Sequence, residues 1–278
     1  MDEKKAREKM ANLSRSLEGL DSLVVAFSGG VDSTFLLTLA HRALGERVLA
    51  VTAKADMFPA REQEEALAFV RQAGIPHLLL ETGQMNLPEF LANTPDRCYH
   101  CKRLLFLALK RIAEQKGMAH VAHGANVEDL DDYRPGSRAA EEIGILGPLV
   151  EAGLGKEEIR HLSESMGLPT WDKPSMACLA SRIPYGEPVT PEKLRMIERA
   201  EAVLSSCGIR QCRVRLHGTV ARIEVPTPDM AELAKGRFRE ILVRKFRQIG
   251  FRYVSLDLEG YRSGSMNRTL EGGAFDPR

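Results

Sequence analysis

The apolar positions of the first half of the chain switch between two periods. Residues 23–27, Leu-Val-Val-Ala-Phe, form an unbroken apolar run that stops just before a Gly pair. Phe35, Leu36, Leu39, Ala40 and Ala43 then recur at helical spacing across 33–44. A short apolar run bounded by turn residues predicts a buried strand, and the spacing after it predicts a helix lying over that strand. The alternation continues with a strand at 47–53, a helix at 60–73, a strand at 77–82, a helix at 101–116 and a fourth strand at 119–124. Strands alternating with helices predict an α/β fold, a parallel sheet with helices on both faces. Such sheets bind ligands at the C-terminal ends of their strands.

The rhythm changes after about residue 150. Residues 155–167 predict an amphipathic helix closed by Gly167. The stretch 170–191 has no periodicity and carries four prolines and the single Trp. A loop of that length is usually functional or a linker. A Thr cap at 190 and Gly208 bracket another helix. Strands over 211–218 and 219–225, a helix over 235–249 and a strand over 252–257 complete a smaller α+β region. The polar, Gly-rich tail from about 262 is expected to be loose. The expected organisation is an α/β domain over 1–170, an active-site loop carrying Cys178 over 171–189, and a small α+β domain over 190–278.

Composition excludes several classes. The 278 residues carry a net charge of only +1, so the basic excess of a bulk nucleic-acid binder is missing. The first twenty residues are charged and helical in pattern, unlike a signal peptide. No run approaches the ~20 apolar residues of a membrane span. A cytoplasmic protein with neither nucleic-acid nor membrane partners is expected. The five cysteines, Cys98, Cys101, Cys178, Cys207 and Cys212, suit metal, redox or nucleophilic roles better than disulfides in a reducing compartment.

The first motif is Ser28-Gly29-Gly30-Val31-Asp32-Ser33, between the first strand and the first helix of the alternation. Glycines let the backbone turn sharply and approach a ligand, and the helix start offers N–H groups to an anion. Ser28 and Ser33 add hydroxyls, and Asp32 suits a Mg²⁺ that screens phosphate charge. Thr52, Ala53 and Gly124 lie at the same strand ends and complete the expected ATP set. The loop lacks the lysine of a Walker motif. It resembles the PP-loop of the ATP pyrophosphatases, which release pyrophosphate and leave AMP on the substrate. NAD synthetase, GMP synthetase, asparagine synthetase and several tRNA thiolation enzymes share that loop.

The second motif is Cys98-Tyr-His-Cys101, followed at once by Lys102, at a helix start that lowers thiol pKa values. With Cys178 it allows a structural zinc, which needs a fourth ligand such as His100 or His123. It equally allows a [4Fe–4S] cluster with one open iron, or thiols with no ligand. Cys207 and Cys212 read as small apolar residues.

Longer stretches are more specific. They are 97–102 (RCYHCK), 123–136 (HGANVEDLDDYRPG), 147–160 (GPLVEAGLGKEEIR), 173–186 (KPSMACLASRIPYG), 212–218 (CRVRLHG) and 221–225 (ARIEV). Together with the PP-loop they resemble, from about residue 20 to 257, the LarE family of ATP-dependent sacrificial sulfur transferases. These are pyridinium-3,5-bisthiocarboxylic acid mononucleotide synthases, which help to build the nickel-pincer nucleotide. The resemblance implies that a carboxylate of the biscarboxylated pyridinium mononucleotide is adenylated and then converted to a thiocarboxylate. In one type of the family the Cys matching Cys178 gives up its own sulfur. In the other, three cysteines hold a [4Fe–4S] cluster that carries sulfide from a donor, and Cys98, Cys101 and Cys178 fit that type. Lys102 and Mg²⁺ then offset phosphate charge, while Arg213, Arg215, Ser181 and Arg182 meet the substrate phosphate. Glu201 and Glu224 match positions associated with a divalent metal. Asp129, Asp131, Asp132 and Arg134 follow the fourth strand and suit nucleotide or metal. One departure is His123-Gly124-Ala125-Asn126, where the family pattern has Asp-Gly-Thr-Asn. A homo-oligomer, a hexamer by resemblance, is implied.

Three rivals remain at this point. A tRNA 2-thiolation enzyme with the same loop and cluster is expected to carry zinc-finger CxxC pairs or an RNA-binding domain. An ammonia-using synthetase leaves the CxxC idle. A non-catalytic scaffold binds ATP without releasing pyrophosphate.

Overall fold

The computed structural model describes residues 1–131, 135–175, 177–262 and 265. In chain order its elements are α1 (Glu3–Glu18), β1 (Leu23–Ala26), α2 (Val31–Leu44), β2 (Val48–Lys54), α3 (Ala60–Ala73), β3 (His77–Glu81), α4 (Pro88–Leu91), α5 (Arg97–Gln115) and β4 (His120–His123). There follow α6 (Glu128–Asp131), α7 (Pro135–Ile143), α8 (Pro148–Glu151), α9 (Lys156–Ser165), α10 (Pro191–Ser206), β5 (Arg213–His217), β6 (Val220–Glu224), α11 (Thr227–Leu233), α12 (Gly236–Ile249) and β7 (Tyr253–Leu256). The chain forms two units, Met1–Asn86 with Asp96–Met176, and Leu87–Pro95 with Ala177–Arg278.

The first unit is built on a parallel sheet of order β3-β2-β1-β4. Leu23 and Val25 of β1 enter one core with Phe35 and Leu36 of α2, Leu13 of α1 and Ile159 of α9. Val24 enters the opposite core with Leu105, Phe106 and Leu109 of α5 and Ala139 of α7. Side chains alternate across a strand, so a strand covered on both faces must be apolar at every position. That is why 23–27 reads as an unbroken run. The parallel sheet flanked by helices is the arrangement the alternation predicts. From β1 the chain winds outward through β2 to β3 and then crosses back to place β4 on the other side of β1, so the winding direction reverses between β1 and β4. Ligands of open α/β sheets bind at such a switch point, beyond the C-terminal strand ends.

The second unit holds a smaller mixed sheet of order β5-β6-β7, with β5 antiparallel and β7 parallel to β6. Leu87–Pro95 is distant in sequence yet belongs to it. Asn93 takes a left-handed φ of 54°, a conformation an Asn tolerates better than most side chains. Its buried amide donates to the carbonyls of Ile183, Pro184 and Glu187 at 3.2, 2.7 and 2.9 Å. Backbone bonds from Gly186 N to Asn93 O and from Val189 N to Leu91 O run alongside. The Pro-rich loop is therefore pinned by a remote segment rather than left as a tether. Among the described residues, no helix is long and apolar enough to cross a membrane. The tail beyond Arg262, apart from Ser265, lies outside the described residues.

Candidate functional site

In the first unit, Ser28–Ser33 links the end of β1 to the start of α2. Gly29 has φ +72°, and a Cβ there would sit 2.7 Å from Ala66 Cβ of α3, so both conformation and space demand glycine. Ser28 Oγ and Ser33 Oγ are 3.0 Å apart, and Ser33 Oγ donates to Gly30 O at 3.2 Å. The helix cap, Gly30, makes no side-chain cap bond. The N–H groups of the first turn therefore point out of α2 with no capping side chain over them, the arrangement that receives an anion. Gly124, just after β4, presses on this turn. A Cβ on it would lie 2.9 Å from Ser33 N and 3.0 Å from Ser33 Cα. Its role is to let two backbones meet at the switch point.

Two lysines missed by the sequence reading reach this loop. Lys173 Nζ donates to Gly29 O at 3.2 Å and pairs with Glu62 and Glu65 of α3 at 2.6 and 2.8 Å. Lys156, the first residue of α9, pairs with Asp32 Oδ2. Asp32 Oδ1 is buried and has no hydrogen-bond partner among the described residues. The helix 155–167 was visible in the sequence, but nothing local says that it returns to residue 32. Thr52, at the neighbouring strand end, shares its Oγ1 with His77 Nε2 at 3.0 Å, and Ala53 follows it on β2. Asp129 Oδ2 accepts from Asn126 N at 3.0 Å, closing the turn after Gly124. The side chain of Asp131, and all of Asp132 and Arg134, lie outside the described residues.

Cys98 and Cys101 lie in the first two turns of α5, three residues apart and so on neighbouring positions of one face. Lys102 Nζ lies 5.5 Å from the Phe106 ring centroid, and that ring meets the His123 ring edge-on at 5.4 Å. Burial, and after it the Lys102 charge, hold His123 down to about 4. It stands neutral where the family pattern has an acid. The sign follows from linkage. An unfolded His takes its proton near 6.5, so between pH 6.5 and 4 protons favour the unfolded chain. Stability present above pH 6.5 is expected to fall by about 3 kcal/mol on acidification to pH 4. Urea unfolding at pH 7 and pH 4.5 checks this, with His123→Asn expected to flatten the slope.

In the second unit Cys178 opens a short turn, Leu179–Arg182. Arg182 is wholly buried and fully engaged. Its Nε and Nη2 donate to the two oxygens of Glu201 at 2.9 and 3.0 Å. Its Nη1 donates to Ala177 O, Cys178 O and Ser181 Oγ at 2.6, 3.0 and 3.0 Å. Burial opposes the charge, but Glu201 outweighs it, and the guanidinium is held above its usual range. Ser181 Oγ also donates to Cys178 O at 2.8 Å. Arg215 repeats the pattern with Glu224 at 3.0 and 2.8 Å and donates to Ser181 O at 2.8 Å. Glu201 and Glu224 thus serve as partners of arginines. Arg213 packs on the Tyr261 ring, and burial, then the Arg182 charge, push it below its ordinary value. Arg222 pairs with Glu224 and Asp257 at 3.1 and 3.2 Å. Arg182, Arg215 and Arg222 thus meet the carboxylates of Glu201, Glu224 and Asp257, and Arg213 lies among them. Cys212 is pushed up to about 12, by burial first and Glu201 next, and stays a thiol.

Among the described residues no group of three or more His, Cys, Asp or Glu is gathered in metal-holding geometry. Each unit thus brings part of the expected set together, the ATP residues in the first and Cys178, Ser181, Arg182, Arg213 and Arg215 in the second.

Comparison with known proteins adds independent findings. The model of the NAD synthase family matches residues 7–91, which contain the Ser28–Ser33 loop. An uncharacterized protein of Synechocystis sp. is 43% identical over 262 residues, covering 94% of this chain and 98% of that one. The pyridinium-3,5-bisthiocarboxylic acid mononucleotide synthase of Lactiplantibacillus plantarum is 36% identical over 263 residues, covering 94% of this chain and 95% of that one. A glutamine-hydrolyzing GMP synthase of Aeropyrum pernix is 28% identical over 199 residues, 65% of this chain and 38% of that one.

Proposed function

We propose, for a chain that belongs to the pyridinium-3,5-bisthiocarboxylic acid mononucleotide synthase family, that it adenylates a carboxylate of the biscarboxylated pyridinium mononucleotide and turns it into a thiocarboxylate. It is an ATP-dependent enzyme. The carboxylate oxygen attacks the α-phosphorus, pyrophosphate leaves, and an acyl adenylate forms. A sulfur nucleophile then adds at that carbon and AMP departs. A carboxylate is a poor electrophile, and the adenylate supplies the leaving group it lacks.

The first unit carries the activation. The Ser28–Ser33 turn and the open start of α2 bind the triphosphate. Asp32 fits a Mg²⁺, since its Oδ1 is a buried oxygen with no other partner among the described residues. Lys102 offsets phosphate charge. The second unit carries the substrate, with Arg213 and Arg215 favouring its phosphate and Ser181 and Arg182 fixing the turn of Cys178. Cys98 and Cys101, one helical turn apart at a helix start, suit two thiolate ligands, and the family resemblance would make Cys178 the third. A [4Fe–4S] cluster, held by these three thiols, would supply sulfide for the transfer and would spare the sulfur of Cys178 itself. The expected setting is a cytoplasmic homo-oligomer with small-molecule ligands and a sulfide donor.

The observation that most supports this reading is the Cys178 turn, whose backbone is clamped by the buried Arg182 and by Ser181 while its thiol stays partly exposed. That favours sulfur chemistry over an ammonia-using synthetase. The test supplies ATP, Mg²⁺ and the pyridinium substrate and follows pyrophosphate and thiocarboxylate together. Asp32→Ala is expected to abolish both. Pyrophosphate release at the native rate without Asp32 overturns its metal role, and ATP binding with no pyrophosphate in the native protein favours the scaffold.

A further inference from the structure

We propose that Lys156 is a phosphate-binding residue of this site, parked on Asp32 until the nucleotide and its metal arrive. The inference rests on the ATP reading above and adds a residue and an order of events to it. Three observations carry it. Lys156 Nζ donates to Asp32 Oδ2, while Oδ1 of the same carboxylate is buried without a partner among the described residues. That carboxylate lies in the first turn of α2, beside the uncapped N–H groups where an anion is favoured. The backbone of Lys156 is fixed independently of the pair. Its N–H donates to both oxygens of Glu128 at 2.9 and 2.7 Å, and Glu128 fits there because a Cβ on Gly155 would lie 2.7 Å from Oε1. Only the flexible stem and ammonium of Lys156 are left to move.

The contrast with Lys173 sharpens the assignment. Lys173 meets two carboxylates and the Gly29 carbonyl, so its charge is consumed in tying α3 to the loop. Among the described residues Lys156 Nζ meets one carboxylate, that of Asp32, the one a divalent cation needs. An ammonium and a divalent ion cannot share Asp32 without repulsion at close range. The triphosphate resolves the conflict, because its oxygens attract the ammonium away as the metal takes the carboxylate. Without nucleotide, Lys156 offsets the part-buried Asp32 charge and keeps the ion out.

The two halves of the proposal predict effects of opposite sign. Lys156→Met is expected to tighten Mn²⁺ binding in the absence of nucleotide several-fold, read by electron paramagnetic resonance. The same variant is expected to weaken metal-free binding of inorganic pyrophosphate by about tenfold, the scale of one charge-assisted contact, read by calorimetry. Lys156→Arg keeps the charge and is expected to restore pyrophosphate binding, which separates the effect from misfolding. Unchanged Mn²⁺ affinity, or unchanged pyrophosphate affinity, in Lys156→Met overturns the proposal. Native protein that binds neither pyrophosphate nor ATP overturns the ATP reading itself and this inference with it.

Discussion

Replacing Arg182 by methionine is expected to cost the second unit about 3–5 kcal/mol, the scale of a buried ion pair broken from one side. Methionine fills much of the volume, so the loss is electrostatic rather than a cavity. Glu201 is left as a buried carboxylate that has lost both guanidinium bonds and, among the described residues, keeps the N–H of Val214, at 2.9 Å. The carbonyls of Ala177 and Cys178 lose a donor at the same time. Glu201→Gln is expected to cost less, because the amide oxygen still accepts. The double variant Arg182→Met, Glu201→Met removes both charges together and is expected to be more stable than the sum of the single losses implies. Denaturant unfolding of the four proteins closes that cycle. Additive losses would mean that the two residues contribute separately, and the clamp on the Cys178 turn would not be a unit.

What was legible in the sequence was local. The runs at 23–27 and 47–53 mark strands because a strand buried on both faces has no polar position to spare. The Ser28–Ser33 motif is equally local, since the strand, the glycine turn and the helix start that make an anion site follow one another in the chain. The start of α5 shows where locality ends. Apolar spacing puts that helix at 101, yet it begins at Arg97. Its buried stripe runs Arg97, Cys101, Leu105, Leu109, so its first member is a charged residue that hydrophobic periodicity passes over.

The unread parts were pairings across distance. Alternation put Arg213 and Arg215 on one face of β5, but it said nothing of the carboxylates they meet or of Arg182 crossing to Glu201. Lys156 and Asp32 are 124 residues apart, and Asn93 anchors carbonyls some ninety residues away. No local pattern encodes such contacts, because the topology of the sheet and the packing of remote helices decide them. The 97–102 and 173–186 stretches carried the function further than geometry did. They mark which chemistry the family performs, while the structure supplies the reason that each neighbouring side chain is where it is.

Cys178→Ala is expected to leave the protein folded and able to release pyrophosphate, and to reduce thiocarboxylate formation to background. The separation follows from how the turn is held. The carbonyl of Cys178 accepts from Ser181 N at 3.0 Å, Ser181 Oγ at 2.8 Å and Arg182 Nη1 at 3.0 Å. Alanine keeps that carbonyl and its backbone angles, and the half-exposed thiol adds little packing. Stability is therefore expected to change by no more than about 0.5 kcal/mol. Activation is assigned to the PP-loop, which this substitution does not touch. Full transfer by the variant would remove Cys178 from the reaction altogether. The sulfur source is then decided on the native protein, by iron and acid-labile sulfide after anaerobic purification and by intact mass before and after one turnover. About four irons per chain, lost in Cys98→Ala and in Cys178→Ala, with an unchanged polypeptide mass in the native protein, mean that Cys178 is a ligand and the enzyme turns over repeatedly. Absence of iron with loss of one H₂S from the chain means that Cys178 is itself the donor. In that case Cys98 and Cys101 take no part in transfer, and each molecule of protein makes one thiocarboxylate.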